Sequence, residues 1–338
     1  MSSDAVTAKN KELWVDNVKI LACILVVLGH LLQSMRSAGL VSENFFFTWF
    51  DTAIYFFHVP LFFICSGYLY QKYSSINTFG DWRNNVLKKL IGLGVPYFSF
   101  SLITWLIKSV FSDAVNTQVN SIGHDLFVWP QSPYWFLYIL FLLFVIVPVF
   151  KQRKGMIMGL LLAVVLYLVC TLFMDTDVFI LYALPRHLFW FVLGQSLSVF
   201  DMPGRQGRKE YFVFASILFA FASVWMSKHD IENAVLSLLM GMLACSVILP
   251  AIWNGKTNSQ VTSGLSRYTM PVFLMHTICA AGIRVVLLKL GITDLLVHLI
   301  FGVVFSFGGP MVAAEIMRRI KWLDFFINPL KYVRINKR

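Results

Sequence analysis

The stretch Asp16–Met35, "DNVKILACILVVLGHLLQSM", has the length that crosses a bilayer, since about 20 apolar residues span roughly 30 Å of hydrocarbon. A carboxylate, an ammonium and an imidazole interrupt it: Asp16, Lys19 and His30. A charge near the bilayer centre costs roughly 2.5–3.5 kcal/mol on insertion scales, so their presence needs a reason. At about 100° per residue, the step from Lys19 to His30 brings His30 back to within about 20° of Lys19. Asp16 falls about 40° from His30 on the same face and Cys23 about 20° from it. The stretch therefore predicts a helix with a working side and a lipid side.

The rest of the chain repeats the apolar theme. Of 338 residues, 58% are apolar, 16% aromatic and only 13% charged, with a mean hydropathy of +0.72. Soluble domains carry about 25% charged residues, so the fold class expected is an all-α integral membrane protein. Apolar runs recur at 17–35, 49–70, 90–111, 134–150, 156–174, 179–199, 211–227, 233–253, 269–288 and 295–316, which predicts about ten transmembrane helices. The runs at 134–150 and 211–227 are the shortest. One membrane domain over 1–338 is expected, with a tail over 1–12 and a basic tail over 317–338.

The 28 Lys and Arg set the orientation. With the N-terminus in the cytoplasm, Lys9, Lys11, Lys72, Arg83, Lys88, Lys89, Lys151, Arg153 and Lys154 fall inside. So do Arg205, Arg208, Lys209, Lys256, Arg267, Arg318, Arg319, Lys321, Lys331, Arg334, Lys337 and Arg338. The opposite loops hold Asp51, Asp113, Asp125, Asp175, Asp177 and Asp230. Both termini are thus expected in the cytoplasm, and the net charge of +11 is explained by membrane topology without nucleic acid as a partner. The start "MSSDAVTAKNKELW" has no small-residue cleavage site ahead of an apolar core, so no removable signal peptide is expected. The five cysteines all lie in apolar runs without a CxxC, which speaks against a disulfide framework or a metal site.

His30, His58, His187 and His276 fall inside expected spans, accompanied by Lys19 and Arg186. A single buried histidine often only joins two helices, but charged and titratable groups in this number mark a functional site. The second span carries Asp51, Tyr55, His58, Phe62 and Cys65 on one stripe. Support of His30 and direct chemistry both stay open for His58. Arg186 follows Pro185 in "FILYALPRHLFWFVLGQ", where proline removes a backbone donor and kinks the helix. Its partner is Asp16 or Asp51, the kink carbonyls, or the anion of a substrate or cofactor. For His276 in "YTMPVFLMHTI", packing and a substrate contact both stand. Ser66-Gly67 permits close helix contact. Neither a GxSxG elbow nor an HExxH spacing occurs, so hydrolase and metalloenzyme readings have no local support.

These segments together resemble a known family. "DNVKILACILVVLGH", "FFHVPLFFICSGYLY", "RNNVLKKLIGLGVPYFSF", "SPYWFLYILF", "LFWFVLGQ" and "SRYTMPVFLMH" are similar, in that order, to the acyltransferase family 3 membrane proteins. The resemblance is nearest to the fucose 4-O-acetylase-like and polysaccharide O-acetyltransferase branch. A basic residue, ten intervening residues and a histidine form the family's hallmark, met by Lys19 and His30. The family more often has arginine there, and lysine keeps the charge without the two-pronged fork. A second basic motif is met by Lys88 and Lys89 ahead of Pro96.

The resemblance implies a membrane enzyme that moves an acetyl or other acyl group from acetyl-CoA, as co-substrate, to a sugar hydroxyl in a surface glycan or its lipid-linked precursor. It also implies the bacterial inner membrane, with membrane lipids around the protein. An imidazole, with a reference pKa near 6.5, is suited to take the proton of a sugar hydroxyl. His30 is the expected base, with Asp16, Lys19, His58 and Arg186 completing the catalytic set. Lys19, Lys88 and Lys89 are expected at the CoA phosphates, and Tyr134, Trp135 and His276 at the acceptor. Lys19 and His30 stand about 16 Å apart along a helix, within reach of an extended pantetheine arm. Two other readings remain: a glycan exporter whose path these polar residues line, and a pH sensor. Matched broken helices in two halves would favour export, and only the Pro185 kink is evident.

Overall fold

The computed structural model describes residues 12–41, 44–111, 120–202, 209–255, 259–333 and 335. Lys9, Lys11, Asp113, Arg205, Arg208, Lys256, Arg334, Lys337 and Arg338, invoked above for orientation, lie outside the described residues, as does the tail up to residue 11. Among the described residues the chain is helical throughout, without strands. The helices are α1 Leu13–Ser37, α2 Phe45–Tyr55, α3 His58–Tyr73, α4 Phe79–Lys89, α5 Val95–Val110, α6 Trp135–Ile146 and α7 Arg153–Phe173. They continue with α8 Phe179–Val199, α9 Lys209–Lys228, α10 Ala234–Trp253, α11 Ser259–Lys289, α12 Leu295–Arg319 and α13 Lys321–Ile327. A π turn, Leu90–Gly94, runs α4 directly into α5.

Helix starts follow local chemistry. The Asn44 side chain accepts from Phe46 N–H at 2.8 Å to open α2, and Asn233 accepts from Val235 and Leu236 to open α10. Thr78 and Asp81 form a reciprocal capping box at α4. Asp294 caps α12 through Val297.

Among the described residues, eight helical stretches are long and apolar enough to cross a membrane: α1, α2 with α3, α4 with α5, α7, α9, α10, α11 and α12. The other two expected spans differ. Run 134–150 contains only the 12-residue α6, because Pro148 follows and the residue before a proline is driven out of the helical region; Val147 is extended. The chain then stays irregular to Gln152 beside α3 and α8, and side chains satisfy its backbone. Tyr70 Oη donates to Val147 O at 3.3 Å, Gln195 Nε2 to Pro148 O at 2.9 Å and Gln71 Nε2 to Phe150 O at 2.8 Å. Trp82 Nε1 donates to Val145 O at 3.1 Å, and Phe150 N–H to Gln71 Oε1 at 3.0 Å. Irregular backbone at membrane depth survives only where protein buries it in this way. Run 179–199 is the 21-residue α8, and Arg186, His187 and Gln195 make it more polar than the eight.

Helix α1 is surrounded by α2, α3, α10, α11 and α12. Its expected lipid side shrinks to a strip at Ile24, 38% exposed, since Val15, Val18, Ala22, Cys23, Val26, Val27 and Leu31 are all buried. The closest helix pair is α3 with α8. Gly67 lies directly on the Phe191 carbonyl and Gly194 on the Ile64 carbonyl, so each glycine seats the other helix's backbone. The small residue expected at Gly67 to permit close contact does so, with Gly194 as its counterpart.

The segment expected as a basic tail is folded up to Val333. Helix α13 rests against α5 and the 3₁₀ turn Pro329–Lys331 against the π turn, with Leu330 on Gly92. Asp324, fully buried, gathers it by accepting from Lys331 Nζ at 2.7 Å, Tyr332 Oη at 2.6 Å and Asn328 Nδ2 at 2.7 Å. Burial alone raises the pKa of this carboxyl, but the three hydrogen bonds outweigh it and hold the pKa below its ordinary value.

Candidate functional site

Near its C-terminal end, α1 opens onto a cavity of about 440 Å³, within the range of small-molecule sites. His30, Gln33 and Ser34 face it from α1, Thr104 and Lys108 from α5, Thr277 and Arg284 from α11, and Ser132 from the loop before α6. On α11 the lining positions Thr277, Ala280, Ala281, Arg284 and Val285 follow one helical stripe. His30 is half-buried and is the lining imidazole.

Two further histidines stand behind it. The rings of His30 and His276 lie 5.3 Å apart between centroids. His276, 1% exposed, points Nδ1 at Val272 O (3.0 Å) and Phe273 O (2.9 Å). Carbonyls only accept, so in the neutral ring Nδ1 carries the hydrogen and Nε2 keeps its lone pair; Nε2 is buried with no hydrogen-bond partner. His58 is built the same way, with Nδ1 donating to Ile54 O at 2.7 Å and Tyr55 edge-on at 4.5 Å. It lies within electrostatic reach of His30. Asp51, on the same stripe, accepts from Gln33 Nε2 at 3.3 Å through both oxygens, so it braces the cavity wall.

The other expected residues separate into two groups. Lys19 and Lys88 both lie within electrostatic reach of Lys89, so the three cations do converge, about 16 Å down α1 from His30. Lys89 Nζ sits 3.8 Å over the Phe144 ring. Asp16 and Lys19 both act electrostatically on Cys65 of α3. At the end of the bundle formed by the C-terminal ends of α3 and α8, a second cavity of about 470 Å³ is lined by Lys72, Lys151 and Arg153. Lys72 pairs with Glu12 and Tyr68 beside it.

Arg186, Tyr134 and Trp135 are not among the residues that line the His30 cavity. Arg186 donates to Tyr182 O at 2.6 Å and lies 3.9 Å over the Tyr182 ring, one of the partners expected at a kink. Tyr134 is fully buried; its hydroxyl donates to Leu274 O at 2.9 Å and meets Thr104 Oγ1 at 2.8 Å, tying α5 to α11 behind the cavity wall. Trp135 packs on His187 and Phe179, with centroids at 5.1 and 5.9 Å.

Sequence reasoning passed over Gln33, Lys108 and Arg284. The signal was present, since Lys108 and Arg284 are charged residues within the runs 90–111 and 269–288, as Lys19 and Arg186 are in theirs. All five cysteines are free, and among the described residues no group of three His, Cys, Asp or Glu converges as a metal site would need.

Comparison with known proteins points the same way. The chain is 28% identical over 140 residues to the nodulation protein NolL of Mesorhizobium japonicum (strain LMG 29417 / CECT 9101 / MAFF 303099), covering 41% of this chain and 36% of that protein. It is 47% identical over 62 residues to the nodulation protein NolL of Sinorhizobium fredii (strain NBRC 101917 / NGR234), covering 18% of this chain and 16% of that protein. These alignments thus span well under half of either relative. No solved structure matches the chain. The model of an acyltransferase domain matches residues 12–315, nearly the whole length and every helix around the His30 cavity, and the chain therefore belongs to acyltransferase family 3, as a multi-pass membrane protein.

Proposed function

We propose that this acyltransferase takes an acetyl group from acetyl-CoA and places it on a hydroxyl of a cell-surface glycan or its lipid-linked precursor, in a bacterial cytoplasmic membrane with both termini inside. The observation that carries the reading is His30, the imidazole on the wall of a ligand-sized cavity, joined by one helix to a convergence of cations.

The acceptor hydroxyl, seated in the cavity, gives its proton to a bare nitrogen of His30 as its oxygen attacks the thioester carbonyl. When the tetrahedral intermediate collapses, the carbon–sulfur bond breaks and the CoA sulfur takes the proton from His30, so the base is restored each turnover. His276 lies 5.3 Å from His30 between ring centroids and, like His58, holds its own Nδ1 on a backbone carbonyl, which makes the two supports for the His30 ring. Lys19, Lys88 and Lys89 hold CoA phosphates at the cytoplasmic end, and the pantetheine arm covers the roughly 16 Å to His30. Tyr134 acts on the acceptor side by tying α5 to α11 behind the cavity wall.

The test is acetyl-CoA binding and CoA release by the purified full chain in nanodiscs with surface-glycan acceptors. His30→Ala is expected to lose about 10²- to 10⁴-fold in turnover, typical for a general base, while staying folded. Turnover above about a tenth of wild type would make His30 structural. An exporter has no use for acetyl-CoA, so absence of binding by the intact protein would sink the transferase reading.

A further inference from the structure

Among the described residues the charges on the His30 cavity all have one sign: Lys108 near the end of α5 and Arg284 on α11 line it, and no described Asp or Glu does. Two described carboxylates outside its lining are otherwise occupied. Asp51 stands behind the wall on Gln33, and Asp125, which acts electrostatically on Lys108, accepts from Asn120 and His124 at 3.3 and 3.2 Å. Among the described residues neither Lys108 nor Arg284 forms an ion pair with a carboxylate.

Arg284 is held in place. It is 9% exposed, and its Nη1 donates to Ser34 O at 2.8 Å and to the Ser34 hydroxyl, one turn along α1 from His30. Those bonds use one end of the guanidinium, a planar group with five donors suited to carboxylate and phosphate oxygens. Lys108 adds a point charge from another helix. Two cations brought into a partly dry cavity without a carboxylate among its described lining residues are costly for an empty protein, and an anionic ligand removes that cost.

We propose that the acceptor is itself an anion: a sugar unit whose carboxylate or phosphate sits between Lys108 and Arg284 while a nearby hydroxyl meets His30. This rests on reading the His30 cavity as the acceptor site. The two sources share one chemistry, an oxyanion recognised by an ammonium and a guanidinium. They differ in reach, because a phosphate links the sugar to a carrier and a carboxylate belongs to the ring.

The experiment uses the purified full chain in nanodiscs and three probes: methyl glucuronide, glucose 1-phosphate and methyl glucoside. Binding is measured calorimetrically at low and high salt, and CoA release from acetyl-CoA is followed alongside. At least one charged sugar should bind about tenfold or more tightly than the neutral one, the scale of one charge-assisted hydrogen bond, and the preference should weaken with salt. The better of the two charged probes identifies carboxylate or phosphate. Lys108→Gln should erase most of that preference. Arg284→Lys, which keeps a donor for Ser34 in case Arg284→Gln fails to fold, should reduce it. Equal binding of charged and neutral sugars, or binding of none, overturns the proposal. So does a Lys108→Gln variant that loses acetyl-CoA affinity with its sugar preference intact, since the cations would then serve the donor. CoA release that depends on His30 in the face of any of these results leaves the transferase reading standing; its absence takes that reading down as well.

Discussion

Replacing Gly67 by alanine is a one-carbon change with a large expected effect. A Cβ built there lies 1.9 Å from the Phe191 carbonyl oxygen and 2.8 Å from its carbon, where real Cβ contacts are essentially never under 3.0 Å. Helices α3 and α8 must separate by about 1.1 Å or more at this point, and the obstacle is backbone, which cannot rotate aside. Overpacking costs typically 1–3 kcal/mol, and a gap of 0.5–1 Å already forfeits a quarter to a half of each dispersion contact along the interface. Alanine regains up to about 1 kcal/mol of helix propensity, so a net loss of about 1–2 kcal/mol is expected. At roughly 2–4 °C per kcal/mol for mid-sized domains, the melting midpoint in detergent should fall by about 2–8 °C. Gly194→Ala, 2.0 Å from the Ile64 carbonyl, should behave alike. Gly264→Ala and Gly308→Ala, helical glycines with open space around the added carbon, are the internal controls and should be neutral or slightly stabilising. A Gly67→Ala protein that melts with the controls would show that α3 and α8 do not touch as described.

Two further outcomes are expected. Lys19→Arg keeps the charge and should retain much of the activity, whereas Lys19→Met should raise KM for acetyl-CoA or lower kcat by about 1.5–3 kcal/mol of lost charge-assisted bonding, read from steady-state kinetics. The docking of residues 328–333 should depend on pH through Asp324. Its folded pKa is lowered, so the stabilisation is present above the unfolded value near 4 and is lost as pH falls through the folded value below it. Limited proteolysis should leave this segment protected at pH 6 and expose it only well below pH 4, and Asp324→Asn should expose it already at pH 6.

The helical class and eight of the ten spans were legible because twenty-residue apolar runs have one outcome in lipid. The site was half legible. The spacing from Lys19 to His30 marked both ends of α1, and the convergence of Lys19, Lys88 and Lys89 followed from similar depth. What stayed open was partner choice. Of the partners offered, Arg186 takes a carbonyl, that of Tyr182 on its own helix, and Tyr134 ties α5 to α11, because depth is encoded locally and azimuth depends on which helices pack. The lipid side of α1 is present around Ile24 but narrower than the pattern implies, since an apolar face can meet lipid or other helices with equal comfort. Lys108 and Arg284 were visible as intramembrane charges, but only the cavity placed them in one lining with His30.

Polar residues in the membrane thus serve two ends, and Gln195 separates them. It is fully buried in α8, and its Nε2 donates to Pro148 O at 2.9 Å, closing backbone left irregular when α6 stops before Pro148. Gln195→Leu is similar in size but leaves that carbonyl unsatisfied, a cost of about 1–3 kcal/mol, and removes one support of the 147–152 segment. If Gln195 serves structure alone, the variant should melt several degrees lower while the surviving folded protein keeps wild-type KM for acetyl-CoA and acceptor. His30→Ala should show the reverse, a wild-type melt with turnover gone. A Gln195→Leu protein of normal stability and impaired turnover would place the irregular segment in the reaction path and dissolve this separation of the two kinds of polar residue.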